Sequence, residues 1–200
     1  MLTLTPPVTH YLAEAFVNTT GSTLEHDYLV GIADAVRDFS LGNDQAAVPV
    51  GRDYRNALTP DAVAHLLDVR TVFIGLELAA LIASLLVIGT LTISIRRYGL
   101  RSIALPLLIA GLAPLTVALL LGLAVLIDFA GFFAFLHSLF FVADSWVFPA
   151  DSLLIRALPE AFWLGCAIVW LVFLVILCAL CILVGLLIRR RSQASVSQKT

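Results

Sequence analysis

Three long stretches of this chain of 200 residues carry almost no charge, and they decide the solvent it folds in. Residues 71–95 hold a single charged side chain, Glu77, while residues 102–127 and 162–188 hold none. At a rise of about 1.5 Å per residue, a helix of some 25 residues reaches roughly 37 Å, enough to cross a ~30 Å hydrocarbon core with some tilt. Inside lipid every backbone N–H and C=O must be satisfied internally, so each stretch is expected to be a transmembrane helix. Pro106, Gly111 and Pro114 in the second stretch are tolerable because neighbouring helices can satisfy the freed carbonyls. Composition agrees: 60% of residues are hydrophobic and 13% charged, against roughly 45–50% and 25% in soluble domains. A net charge of -2 leaves no basic groove for nucleic acid. Three cysteines, all in the last third, do not make a disulfide-stapled secreted fold.

A fourth apolar stretch, 129–142, is too short to span, contains His137, and lies between Asp128 and Asp144. It reads as a re-entrant or interfacial helix. Orientation follows from the arginines. Arg96, Arg97 and Arg101 in the 96–101 loop, with Arg189, Arg190, Arg191 and Lys199 in the 189–200 tail, make seven of the twelve basic residues and none of the fourteen acids. Both segments are therefore expected on the cytoplasmic side, and residues 1–70 and 128–161 outside. The opening, Met1 to Val8, resembles the outer end of a span, so a further N-terminal helix is expected upstream.

The exterior segment has its own signals. Ser22 to Glu25 is a capping-box pattern, followed by Leu24, Tyr28, Leu29, Ile32, Val36 and Phe39 at helical spacing and a stop near Gly42. Residues 42–58 read as a loop. Thr59-Pro60-Asp61 supplies an N-cap, a first-turn proline and a first-turn acid, so a helix should start there and run into the first span. Ser192 to Thr200 reads as a disordered tail.

His65 and Asp68, at i and i+3, share a face of that entering helix, with Arg70 beyond them. His137 sits in an aromatic run, and residues 129–163 collect eight of the twelve phenylalanines and two of the three tryptophans. Interfacial belts favour Trp and Tyr, so this much Phe marks a surface set deeper, among acyl chains. An imidazole there needs a partner, because ionisable groups at membrane depth are costly. Glu77 could pair with Arg70 or another helix. Cys178 and Cys181 form a CxxC inside the third span and, with Cys166, read as small packing residues. No motif for a serine hydrolase, zinc protease or nucleotide site is present.

The block from Phe135 to Trp163, containing His137, Asp144, Trp146, Arg156 and Glu160, resembles the signature of the Lit family of bacterial membrane proteins, the lipoprotein intramolecular transacylases. Ala64 to Arg70 resembles that family's second motif. The likeness covers most of residues 27–188; it departs in lacking the family's first helix and in having Val142-Ala143 where a more polar pair is expected. It implies an all-α integral membrane enzyme, in the bacterial cell membrane, that uses no cofactor or metal. Its substrate would be a diacylglyceryl-modified lipoprotein held among membrane lipid. The sn-2 acyl chain of the S-diacylglyceryl-cysteine would move to the cysteine α-amine, giving a lyso-form lipoprotein. Since both reactants belong to one molecule, positioning supplies much of the acceleration. The protein must then manage a proton and an oxyanion. His137 is suited to serve as base and then acid, with His65 polarising the ester or sharing the proton. Asp68, or alternatively Asp144, would orient an imidazole. Trp146, Arg70 or the second imidazole would face the oxyanion, and Phe133, Phe140 and Phe141 would form the acyl-chain wall. Two other readings use the same residues: a non-catalytic scaffold or sensor binding a partner through the helix around Tyr28 to Phe39, and a haem or metal site ligated by His65 and His137.

Overall fold

The computed structural model describes residues 5–20, 24–43 and 45–197, with the side chains of 192–197 left aside. Helices run in the order α1 (Pro6–Phe16), α2 (His26–Ser40), α3 (Pro60–Tyr98), a 3-10 turn (Leu100–Ile103), α4 (Ala104–Ile127), α5 (Phe129–Phe140), α6 (Leu153–Ala157) and α7 (Glu160–Ser197). Among the described residues there is no strand, only an isolated bridge between Val50 and Leu58 in the loop before α3. Among the described residues, three helices are long and apolar enough to cross a membrane: α3, the Leu100–Ile127 stretch and the Glu160–Arg191 part of α7. Their outward faces are greasy; Leu126 and Ile127 are 84% and 85% exposed, which in water would be costly and in lipid is the expected state.

The start of α3 follows its sequence signal, with Thr59 Oγ1 accepting from the Ala62 N–H at 3.2 Å and Asp61 in the first turn. α2 begins at His26 behind Glu25. Ser22 and Thr23 of the capping-box pattern lie outside the described residues. Residues 6–16 are a short helix of 11 residues, started by two prolines, where the sequence suggested only the edge of a span. The last helix continues through Ser197 in place of the expected disordered tail, since Arg, Gln and Ala extend a helix already formed; residues 198–200 lie outside the described residues.

The chain divides into two compact units. The first comprises the described residues through Leu78 together with Phe133–Trp170. Its core takes Leu12 and Ala13 from α1, Leu29, Ile32, Ala33 and Val36 from α2, Leu58, Ala62 and Leu66 around the start of α3, Leu153, Leu154 and Ala157 from α6, and Phe162 from α7. The α2 positions fall at i, i+3/i+4 and i+7, the stripe of an amphipathic helix, while Tyr28 at the edge of the stripe stays 42% exposed. Polar ties hold the short elements together. His10 Nδ1 lies 2.6 Å from Asp34, whose other oxygen takes Arg37 at 2.5 Å, and Arg37 also donates to Thr9 at 2.8 Å, joining α1 to α2. The Asp34 hydrogen bond raises the His10 pKa above the ordinary imidazole value. Arg156 clamps the exit of α1: its Nε donates to the Asn18 carbonyl at 3.2 Å, and its own carbonyl accepts from the Asn18 N–H at 2.9 Å.

The second unit comprises Ala79–Phe132 and the chain from Leu171 onward. Its close contact is between α4 and α7. A Cβ at Gly111 would lie 2.5 Å from Ile182 Cγ1 and 2.7 Å from the Cys178 carbonyl, and one at Gly185 would lie 3.0 Å from the Ala104 carbonyl. With no hydrophobic drive between helices in lipid, such small residues let the backbones meet. The three cysteines are free, in keeping with packing roles. Asp128 caps the start of α5, its Oδ1 accepting from the Gly131 N–H at 2.9 Å.

Leu153 is fully buried in the first core. Leu153→Ala is expected to lower stability by about 2–5 kcal/mol, read as a falling thermal midpoint of the detergent-solubilised protein, whereas Leu126→Ala, on an outward face, should leave the midpoint nearly unchanged.

Candidate active site

His65 sits in the second turn of α3, ahead of the apolar run that begins at residue 71, and only 8% of it is exposed. His137 lies near the end of α5, half-buried. Although 72 positions apart in sequence, the two rings come together: their centroids are 6.2 Å apart, with planes 29° from parallel. Aromatic rings surround them. Phe141 is 4.8 Å from His65 and 5.4 Å from His137, Phe148 is 5.7 Å from His65, and Phe133 and Trp146 stand 4.0 Å and 4.8 Å from His137. The helical spacing 133, 137, 141 explains why one imidazole is flanked on both sides by phenylalanine.

The hydrogen bonds distinguish the rings. His137 Nδ1 is 2.9 Å from the Phe133 carbonyl oxygen, which can only accept. Nδ1 therefore carries the hydrogen, and in the neutral ring Nε2 is left as a bare acceptor. His65 Nδ1 is buried with no hydrogen-bond partner among the described residues. A buried acceptor without a partner is less costly than a buried N–H without one, so the favoured neutral form of His65 leaves Nδ1 bare and places its hydrogen on Nε2. The two rings thus have opposite tautomers. Burial lowers the His65 pKa, as does the neighbouring His137, while the Asp68 carboxylate partly offsets both. Burial also lowers that of His137, against the Phe133 hydrogen bond. Desolvation outweighs the attraction of aromatic faces for an imidazolium, since cation–π contacts contribute only about 0.5–2 kcal/mol.

Both histidines line a cavity of about 290 Å3 whose walls are almost wholly apolar. Phe133, Phe140, Phe141 and Trp146 belong to it, as the aromatic run suggested. Its other walls carry no sequence signal: Val69, Val72, Phe73 and Leu76 on α3, and Leu158 and Phe162 where α6 leads into α7. A helix that is apolar all round has no periodic signal to single out the face turned to a cavity.

Three expected residues stand apart from the rings. Asp68 is exposed and makes no hydrogen bond to either imidazole among the described residues, acting on His65 through its charge alone. Arg70 reaches back to the Gly42 carbonyl, at 3.5 Å, beneath a glycine whose φ is +101°. Asp144 is exposed and adopts a left-handed conformation, φ 64°, in the turn that carries the chain from α5 to Trp146. Asp tolerates that region better than bulkier residues because its short side chain can bond locally. No group of three His, Cys, Asp or Glu suited to a metal occurs among the described residues.

A family model described as Lipoprotein intramolecular transacylase Lit matches residues 27–163, more than half of the chain and a range that includes both histidines. No curated protein and no solved structure shows a match.

Replacing Asp144 tests the turn. Asp144→Gly or Asp144→Asn should keep wild-type stability, while Asp144→Val should cost about 1–3 kcal/mol in melting experiments.

Proposed function

The chain belongs to the Lit family of lipoprotein intramolecular transacylases, and we propose that it moves the sn-2 acyl chain of an S-diacylglyceryl-cysteine to the α-amine of the same cysteine. The observation that carries this reading is the meeting of two imidazoles, with centroids 6.2 Å apart, in one apolar cavity, His137 Nδ1 on the Phe133 carbonyl and His65 Nδ1 buried without a hydrogen-bond partner among the described residues. Such a pair offers one base and one donor, which is what an O-to-N acyl shift needs when both reactants arrive in one molecule.

The neutral α-amine attacks the ester carbonyl carbon and the C–N bond forms. His137 Nε2 takes the proton that the nitrogen must lose. The carbonyl oxygen, now an oxyanion, accepts from His65 Nε2–H, an electrostatic contribution of the kind that is often the largest in acyl transfer. The C–O bond to glycerol then breaks, and His137 returns its proton to the departing oxygen. Amide and hydroxyl are the products, with no net change in protons. The faces of Phe133 and Trp146 ease the transient charge on His137. Asp68, through its charge, offsets part of the fall in the His65 pKa. The phenylalanines of α5 form a wall for the chain, with membrane lipid beyond. Arg70 and Asp144 hold loops and turns.

The arginine distribution supports an extracytoplasmic site and a cytoplasmic C-terminus, in the bacterial cell membrane that membership of the family implies. Lipoproteins bearing the diacylglyceryl group are the partners that the family assignment implies.

His137→Ala should lower formation of the lyso form about 10²–10⁴-fold, and His65→Ala should also lower it strongly, both read by mass spectrometry of a reporter lipoprotein's N-terminal peptide. Unchanged yield in both variants would remove the mechanism; if exchanging the Tyr28 to Phe39 helix then abolished function, the scaffold reading would take its place. The pH profile has a sign. The substrate amine, with a pKa of about 7.7–8.0, must be neutral, so the rate should rise with pH through that range. Because burial holds the His137 pKa below 6.5, protonation of the base should add a second, steeper loss only below that pH, and His137→Ala should abolish this acid limb.

A further inference from the structure

The cavity extends beyond the two rings. On α3 its wall runs from His65 through Val69, Val72 and Phe73 to Leu76, following one helical face for 11 residues. At about 1.5 Å per residue that strip is roughly 16 Å long. Half of a ~30 Å hydrocarbon core is about 15 Å, the depth filled by the chains of one leaflet. From α5, Leu136 and Phe140 are on the wall as well. The polar side chains that α2 contributes are already occupied: Arg37 is held by Asp34, Asp38 and Thr9, and Ser40 donates to the Val36 carbonyl. They are not free to hold a headgroup. The strip therefore suits a long, unsubstituted hydrocarbon with its polar end at the imidazoles.

We propose that this strip measures the fatty chain in transit, with Phe73 and Leu76 setting the length that is transferred. The inference rests on the acyl-transfer reading above. With the reacting carbonyl carbon between His65 and His137, a chain extended along α3 reaches Leu76, the last α3 side chain on the wall, after about one leaflet's depth. Shorter chains leave part of the strip unfilled, and longer ones must leave it before their last methylenes are packed. The chain that stays on glycerol lies outside the strip and is not measured.

Leu76 is 50% exposed, so it accepts larger and smaller replacements without disturbing the buried core. The test uses the full-length protein with Leu76→Trp and Leu76→Ala, in cells whose lipids carry a mixture of chain lengths. A reporter lipoprotein is recovered, and mass spectrometry reads the amide-linked and ester-linked chains separately. Leu76→Trp should shift the amide-linked chains shorter, seen as a fall in the long-to-short ratio relative to wild type. Leu76→Ala should admit longer ones, and the ester-linked distribution should not move. If Leu76→Trp yields no product, the lengthening in Leu76→Ala decides alone. Amide-linked distributions equal to wild type, or a shift confined to the ester-linked chain, would overturn the measuring role while leaving acyl transfer intact. Absence of amide-linked product from the wild-type protein would overturn the acyl-transfer reading and the measuring role with it.

Discussion

Two imidazoles 6.2 Å apart cannot both be charged cheaply when their surroundings are aromatic. At an effective dielectric of about 20, charging both would cost roughly 3 kcal/mol in mutual repulsion, added to the desolvation of each ring. The pair is therefore neutral near pH 7 and can accept one proton. Everything else about the site is consistent with that single-proton capacity. The Phe133 carbonyl selects the tautomer of His137, the buried Nδ1 of His65 favours the opposite one, and among the described residues no carboxylate is hydrogen-bonded to either ring. A histidine paired with a close carboxylate, as His10 is with Asp34, has its pKa moved the other way.

The first unit supplies the scaffold for this arrangement. His65 must be presented by a rigid element, and α3 does so because it starts at a capped N-terminus well before the apolar run. α5 is too short to span and ends in a turn that passes through Asp144, and this turn lets Trp146 and Phe148 fold back over the rings that α5 and α3 present. Backbone and guanidinium bonds between Asn18 and Arg156 fasten α1 to α6, whose Leu154 and Ile155 complete the wall. The proposed acyl shift needs no nucleophilic serine or cysteine on that wall, because in it the substrate would bring its own amine.

Much of this was readable from residue order, and what escaped has a physical reason. Uncharged runs declared the three long helices, Thr59-Pro60-Asp61 declared the start of α3, and the stripe of Leu29, Ile32 and Val36 declared α2. An imidazole in an apolar run, a group that needs a partner, drew attention to His137, and the i, i+3 spacing with Asp68 drew it to His65. α1 was missed because Thr5, Pro6 and Pro7 look equally like a helix start and like irregular chain. The continuation of α7 past the arginines was missed because polar composition resembles a loose tail whether or not a helix beneath it continues. Asp68 shares a helical face with His65 by spacing, yet spacing does not say whether a carboxylate turns toward its neighbour or toward solvent. The α3 side of the cavity was silent for a related reason: Val69, Val72 and Leu76 look like any lipid-facing residues until a partner surface is in place.

The ring nitrogens themselves give the most direct measurement. With histidine labelled by nitrogen-15, NMR of the detergent-solubilised protein at pH 7 should show both rings neutral, with His137 protonated at Nδ1 and His65 at Nε2. A charged ring at that pH, or the same tautomer in both histidines, would contradict a site built from one base and one donor.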